Sequence, residues 1–198
     1  MSNESKNGDL NLNHRTTALV LIDLQKQILS MPLVPYSSVQ VVAKAAALAN
    51  RCRTLGIPVV LVTVDFRPDS RDRLSNIVDS PLRASVVPVP DGAMLAPELK
   101  ADPADILVVK HQWGAFYGTD LDLQLRRRGI DTILIGGVAT NFGVESTARD
   151  AWERNYKVVF IEDAMSTVTA EAHTFAVSLI FPRIGRVRSS TQILEALS

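Results

Sequence analysis

The chain has 198 residues, 46% of them hydrophobic and 21% charged, enough for one domain with a sizeable core and too few for two of ordinary size. Its 21 basic and 21 acidic side chains cancel, which argues against nucleic acid or an acidic membrane surface as a partner and leaves little charge to oppose self-association, so a homo-oligomer is expected. One cysteine, Cys52, excludes an internal disulfide and a CxxC zinc site, and no stretch reaches the about 18 apolar residues of a membrane span.

Residues 1–15 are polar, rich in Asn and Ser, and without the apolar core of a signal sequence; they read as a mobile tail ahead of one domain over 16–198, in a reduced cytoplasm. A continuous apolar run at 18–22 predicts the first strand. From 37 to 55, Val39, Val42, Ala43, Ala46 and Ala47 recur at helical spacing, with Gly56 placed to end the helix and Pro58 behind it. A β-branched run follows at 59–64. Residues 66–103 carry six prolines (68, 81, 88, 90, 97 and 103) and little periodicity, and read as a long functional loop. Runs at 106–109 and 132–135 predict two further strands, the latter ended by Gly136 and Gly137. Between them Thr119 can cap a helix with Asp120 and Asp122 in its first turn. Arg126, Arg127 and Arg128 fill the last turn before Gly129, a charge order that suits the helix dipole. A helix from 143 to 154, a strand at 158–161, and a helix from 170 to 181 that stops before Pro182 complete the pattern. Arg186-Val187-Arg188 alternates like an edge strand. Apolar runs without alternation are buried on both faces, as in a parallel sheet covered by helices, so the fold class is α/β.

In open α/β sheets ligands bind beyond the carboxyl ends of the strands. There the chain places Asp23 and Gln25, Asp65, Lys110, the Gly-rich elbow from Gly137 to Gly143, and Asp163. A carboxylate ending an apolar strand is desolvated and suited to proton transfer, or it caps the next turn. A lysine there points into a cleft or snorkels outward. Asp163-Ala164 also suits a turn. The elbow runs into a helix whose first N–H groups can hold an anion. GxGxxG, GxSxG, HExxH and the Walker loop are absent. His14 lies in the tail, His111 follows Lys110, and His173 reads as a structural helix residue. No His/Asp cluster has metal spacing, so no metal and no other cofactor is expected.

Three segments, Ala18-Leu-Val-Leu-Ile-Asp-Leu-Gln25, Lys110-His-Gln-Trp-Gly-Ala-Phe116 with Thr119-Asp-Leu121, and Gly137-Val-Ala-Thr-Asn-Phe-Gly-Val-Glu-Ser-Thr-Ala-Arg-Asp-Ala151, resemble the isochorismatase-like hydrolases of the cysteine hydrolase superfamily in order and spacing from about residue 16 onward. The resemblance implies a single three-layer α/β/α domain with a six-stranded parallel sheet of order 3-2-1-4-5-6, and a non-proline cis bond before Ala139. Most of the family hydrolyses amides with an Asp–Lys–Cys triad. Asp23 and Lys110 match the first two members, and Gly143 stands where the cysteine belongs. Glycine has no nucleophile to offer, so covalent thiol catalysis is excluded at this position. True isochorismatases, which cleave a vinyl ether and release pyruvate, also carry glycine here and use the aspartate as a proton donor.

By this resemblance Asp23, Lys110 and the Gly143 position form the catalytic centre. Gln25, Trp113, Phe116, Ala139, Thr140 and Asn141 meet a small-molecule substrate. Three readings stay open. The chain is a hydrolase without a thiol, acting on a small carboxylated metabolite by Asp-centred proton transfer; or a small-molecule binding or regulatory protein that has lost catalysis; or a hydrolase with another nucleophile, for which Thr140 and Ser146 are candidates. Burial raises the pKa of Asp23 and Lys110 lowers it, so a general acid at neutral pH requires burial to win.

Overall fold

The structure is a computed structural model and describes residues 10–80 and 88–198. Six parallel strands, β1 (Thr17–Ile22), β2 (Val59–Val64), β3 (Ile106–Lys110), β4 (Thr132–Val138), β5 (Lys157–Ser166) and β6 (Arg186–Arg188), form one sheet in the order β3-β2-β1-β4-β5-β6. The expected topology is therefore present. Two apolar layers flank the sheet. On one side Leu19, Leu21, Leu61 and Val159 pack under α2 (Ser38–Thr54) and α7 (Ser190–Ala196). On the other, Val20, Ile22, Val108 and Phe160 pack under α3 (Leu121–Arg127), α4 (Glu145–Glu153) and α6 (Phe181–Ile184). The central strands β1 and β4 are buried along their whole length, as unbroken apolar runs require.

Helix α2 opens with a capping box in which Ser37 and Gln40 satisfy each other's N–H groups, and Gly56 follows its end at φ +68°, the left-handed conformation glycine adopts without strain. Its buried stripe is Val41, Val42, Ala45, Leu48, Ala49 and Cys52, whereas Val39 is 78% exposed. The expected stripe was offset because alanine on every face blurs the period. Strand β3 departs from the two-sided burial expected of it. It is an edge strand, and Leu107 and Val109 are 64% and 49% exposed.

Strand β4 does not stop at its glycines but runs through both to Val138. A side chain at Gly137 would place its Cβ 2.1 Å from the Ile22 carbonyl oxygen, and one at Gly136 would lie 2.9 Å from that of Ala164. Glycine lets β4 slide between β1 and β5 where any Cβ would collide. The Val138–Ala139 bond is cis, as the resemblance implied. The next helix opens with a single wide turn, Thr140–Val144, before α4. The helix expected over 170–181 is α5 (Ala170–Phe175) and a second wide turn, Ala176–Ile180. It does not end before Pro182, which sits in the first turn of α6, where a missing N–H costs nothing. A short helix α1 (Lys26–Leu29) and α7, which opens on a Ser189–Gln192 capping box, lie outside the expected elements.

Among the described residues the loop after β2 carries a 3-10 turn, Pro97–Leu99, and an antiparallel bridge from Leu95 to Gln25; residues 81–87 within it lie outside the described residues. Of the expected tail, residues 1–9 lie outside them too. Leu12 is buried and Leu10 packs against the α2 layer. Among the described residues no helix is long and apolar enough to cross a membrane.

Candidate active site

Asp23 is the first residue beyond β1. Its backbone is left-handed, φ 51°, a conformation Asp tolerates better than most residues, and its N–H donates to the Val62 carbonyl at 2.9 Å. The side chain is buried. Lys110 ends β3, two strands away, and its stem crosses the end of β2. Its Nζ donates to Asp23 Oδ2 at 2.7 Å and to the Gln112 carbonyl at 3.0 Å. The other oxygen, Asp23 Oδ1, is buried without a hydrogen-bond partner among the described residues. Burial dominates the electrostatics and lifts the Asp23 pKa from 3.8 to about 6, against the attraction and hydrogen bond of Lys110, which pull it down.

Gly143 lies in the wide turn opposite this carboxylate. A Cβ built there would sit 3.0 Å from Ile22 Cγ2, 3.2 Å from Asp23 Oδ2 and 3.6 Å from the Trp113 carbonyl. The space beside Asp23 is therefore the space a side chain at 143 would take. Thr147 on α4 ties this wall to the lysine loop: its hydroxyl donates to the Gly143 carbonyl at 2.7 Å and accepts from Ala115 N–H at 3.1 Å. The Gln112 side chain braces the same loop by donating to the carbonyls of Gly114 and Tyr117.

The expected substrate-contact residues divide. Trp113 is half exposed and packs on Phe142, ring centroids 4.8 Å apart, beside Gly143. Ala139, Thr140 and Asn141 form the elbow. The N–H groups of Thr140 and Asn141, at the start of the turn, make no main-chain hydrogen bond among the described residues. Gln25 is buried with its amide spent on main chain: Nε2 donates to the carbonyls of Val64 and Ala93, and Oε1 accepts from Val64 N–H. It fixes the end of β2 and the loop over it. Phe116 is buried in the core against Tyr156, ring centroids 5.8 Å apart.

The other candidates lie elsewhere. Asp163 sits inside β5, its two oxygens taken by Ser190 N–H at 2.6 Å and the Ser190 hydroxyl at 2.7 Å, with Lys44 3.4 Å away. Asp65 accepts from Phe66 N–H, and its carbonyl is 2.6 Å from His111 Nδ1. Cys52 is buried near the end of α2, the end that feeds the start of β2, so it lies at the opposite edge of the sheet from Asp23; burial pushes its thiol up to about 12. Thr140 Oγ1, one proposed nucleophile, is fully buried and shares a 2.9 Å hydrogen bond with His173 Nδ1. Among the described residues no three His, Cys, Asp or Glu side chains converge as a metal site. The sequence reading missed Thr147, whose partner Ala115 only the fold brings near, and Gln112, which braces its own loop; His173, expected to be structural, gains a partner in Thr140.

Comparison with known proteins agrees with the fold. The Isochorismatase domain family matches residues 17–192. The isochorismatase family protein YecD of Escherichia coli O157:H7 is 50% identical over 188 residues, 95% of this chain and 100% of that one. YwoC of Bacillus subtilis, of the same family, is 46% identical over 94% of this chain and 96% of its own. A solved isochorismatase family protein from Burkholderia thailandensis superimposes with a TM-score of 0.89 at 49% identity, over 94% of this chain and 97% of that one.

Proposed function

The chain belongs to the isochorismatase family, and within it we propose a hydrolase that works without a thiol, by proton transfer from Asp23 to a vinyl ether of a small carboxylated metabolite. The observation that carries this reading is the buried Asp23 carboxylate, held by Lys110 at Oδ2 with Oδ1 unpartnered among the described residues, facing Gly143, a position with no side chain of its own. Lys110 occupies Oδ2, so the proton of the neutral acid belongs on Oδ1, the oxygen with no other partner. A pKa of about 6 suits an acid that must be both protonated and willing to give up its proton near neutrality.

In this reading Asp23 protonates the terminal carbon of the vinyl ether, and the adjacent carbon becomes an oxocarbenium ion. Water adds to that carbon and returns one proton to the Asp23 carboxylate. The resulting hemiketal collapses to pyruvate and an alcohol, so the proton is regenerated and one water is consumed. Lys110 steadies the carboxylate during the moment it is charged. The N–H groups of Thr140 and Asn141 meet a substrate carboxylate, and Trp113 with Phe142 covers its apolar face. The reduced cytoplasm and the homo-oligomer expected from composition belong to the same proposal; sedimentation velocity reads the second.

Isochorismate is the substrate to try first, with pyruvate release as the readout and Asp23→Asn as control. Release that vanishes in the variant supports the assignment. No release at enzyme concentrations comparable to substrate overturns it and leaves a binding protein or another substrate.

A further inference from the structure

The turn that carries Gly143 has a thin main-chain hold at its start. Phe142 N–H and Val144 N–H both donate to the single carbonyl of Ala139, each at 3.1 Å. Side chains supply the rest. Thr140 Oγ1 and His173 Nδ1 share a hydrogen bond of 2.9 Å, and Thr167 Oγ1 donates to Asn141 Oδ1 at 2.7 Å. Both outside partners come from one stretch, the exit of β5 and the helix α5 after it. Thr140, Thr167 and His173 are all buried.

That stretch is itself anchored. Thr167 exchanges both main-chain hydrogen bonds with Val34, at 2.7 and 3.0 Å. The His173 ring lies edge-on to Tyr36, ring centroids 5.9 Å apart, and the Tyr36 hydroxyl donates to Glu162. Burial holds the imidazole below its ordinary pKa and so neutral. An apolar side chain would fill the same space without the desolvation cost of a buried ring nitrogen. The hydrogen bond to Thr140 is what the histidine adds.

We infer that His173 and Thr167 are positioning residues: through Thr140 and Asn141 they hold the Gly143 backbone at its distance from Asp23 and so set the width of the slot between them. This rests on the reading of Asp23 and Gly143 as the reaction centre. Two variants remove the link without a large change of shape, Thr140→Val and His173→Leu, and His173→Asn keeps a polar atom at the place of Nδ1.

With isochorismate, the first two lower kcat about tenfold or more while KM moves less than about threefold, and His173→Asn recovers most of the loss; a displaced reacting group costs rate more than binding. Loss of melting temperature in Thr140→Val and His173→Leu with kcat unchanged shows ordinary core packing and overturns the inference.

A wild-type chain that releases no pyruvate defeats the proposed reaction, and a second measurement then decides the clamp alone. Gly143→Cys places a thiol beside Asp23, its Cβ needing a few tenths of an ångström from Ile22 and Asp23. Its rate of alkylation by iodoacetamide is followed against pH; Cys52 stays silent, being buried with its pKa pushed up to about 12. Adding Thr140→Val or His173→Leu shifts that profile and adding His173→Asn shifts it less. Identical profiles in all four folded chains overturn the inference.

Discussion

Asp23 and Asp163 look alike in the sequence. Each follows an apolar strand run, and β1 and β5 lie on either side of β4. In the fold they differ in one respect. Both oxygens of Asp163 are spoken for by Ser190 and Lys44. Asp23 is more deeply buried, yet one of its oxygens has no partner among the described residues. A carboxylate whose lone pairs are satisfied fastens one element to another, here β5 to the start of α7. A carboxylate buried with a lone pair free is held in a costly state that only a ligand or a proton relieves. Satisfied oxygens mark Asp163 as a fastener and set it apart from Asp23, the proposed proton donor.

The widest separation is expected in activity. Asp23→Asn lowers pyruvate release from isochorismate by about 10³-fold, in the range of general acid catalysis, while Asp163→Asn stays within about threefold after correction for folded fraction. Comparable losses in steady-state assays of the two variants break the contrast.

pH sharpens it next. Asp23 must be protonated to act, so kcat/KM is highest below about pH 6 and falls about tenfold per pH unit above it; a rate rising from pH 6 to 8 contradicts the assignment. The same displacement has a stability signature. The folded chain holds the Asp23 proton more tightly than the unfolded chain, so stability from this group is full below about pH 4 and lost as pH rises through about 6. Raising a carboxyl from 3.8 to about 6 corresponds to about 3 kcal/mol. In urea titrations, the stability difference between wild type and Asp23→Asn moves toward wild type by roughly that amount from pH 7 to pH 4.

Asp163→Ala tests the other half of the contrast. It strips the N–H and hydroxyl of Ser190 of their acceptors and costs about 2 kcal/mol in the same titration; a value within error of zero makes Asp163 dispensable as a fastener. The smallest effect is expected at Gly143→Ala, whose methyl takes up part of the slot 3.2 Å from Asp23 Oδ2. It reduces kcat/KM about tenfold and leaves the unfolding midpoint nearly unchanged.

The order of the strands, Asp23, Lys110 and the elbow were legible because chemistry-bearing residues interrupt apolar runs at strand ends, and because three quoted segments resembled one family in order. What stayed hidden were the partners. Ser190 lies 27 residues beyond Asp163 and His173 lies 33 beyond Thr140, separations at which no local pattern operates. Gln25 and Phe116 sit in suggestive places, yet one is consumed by main chain and the other by core packing. An apolar run does not announce whether it is central or at an edge, and so β3 read like β1.

The left-handed backbone at Asp23 acts as a filter that operates before any chemistry. Outside glycine, Asn and Asp are the residues that occupy this conformation most readily, and a β-branched side chain is a genuine outlier there. Point mutation at this codon is therefore screened first by shape and only then by reactivity. Asn retains the backbone and deletes the acid, so its loss of activity reports chemistry, whereas Ala or Val adds strain to the same loss. On the proposed reading, a descendant relieved of the reaction drifts at position 23 toward Asn or Gly, the residues this backbone admits most readily.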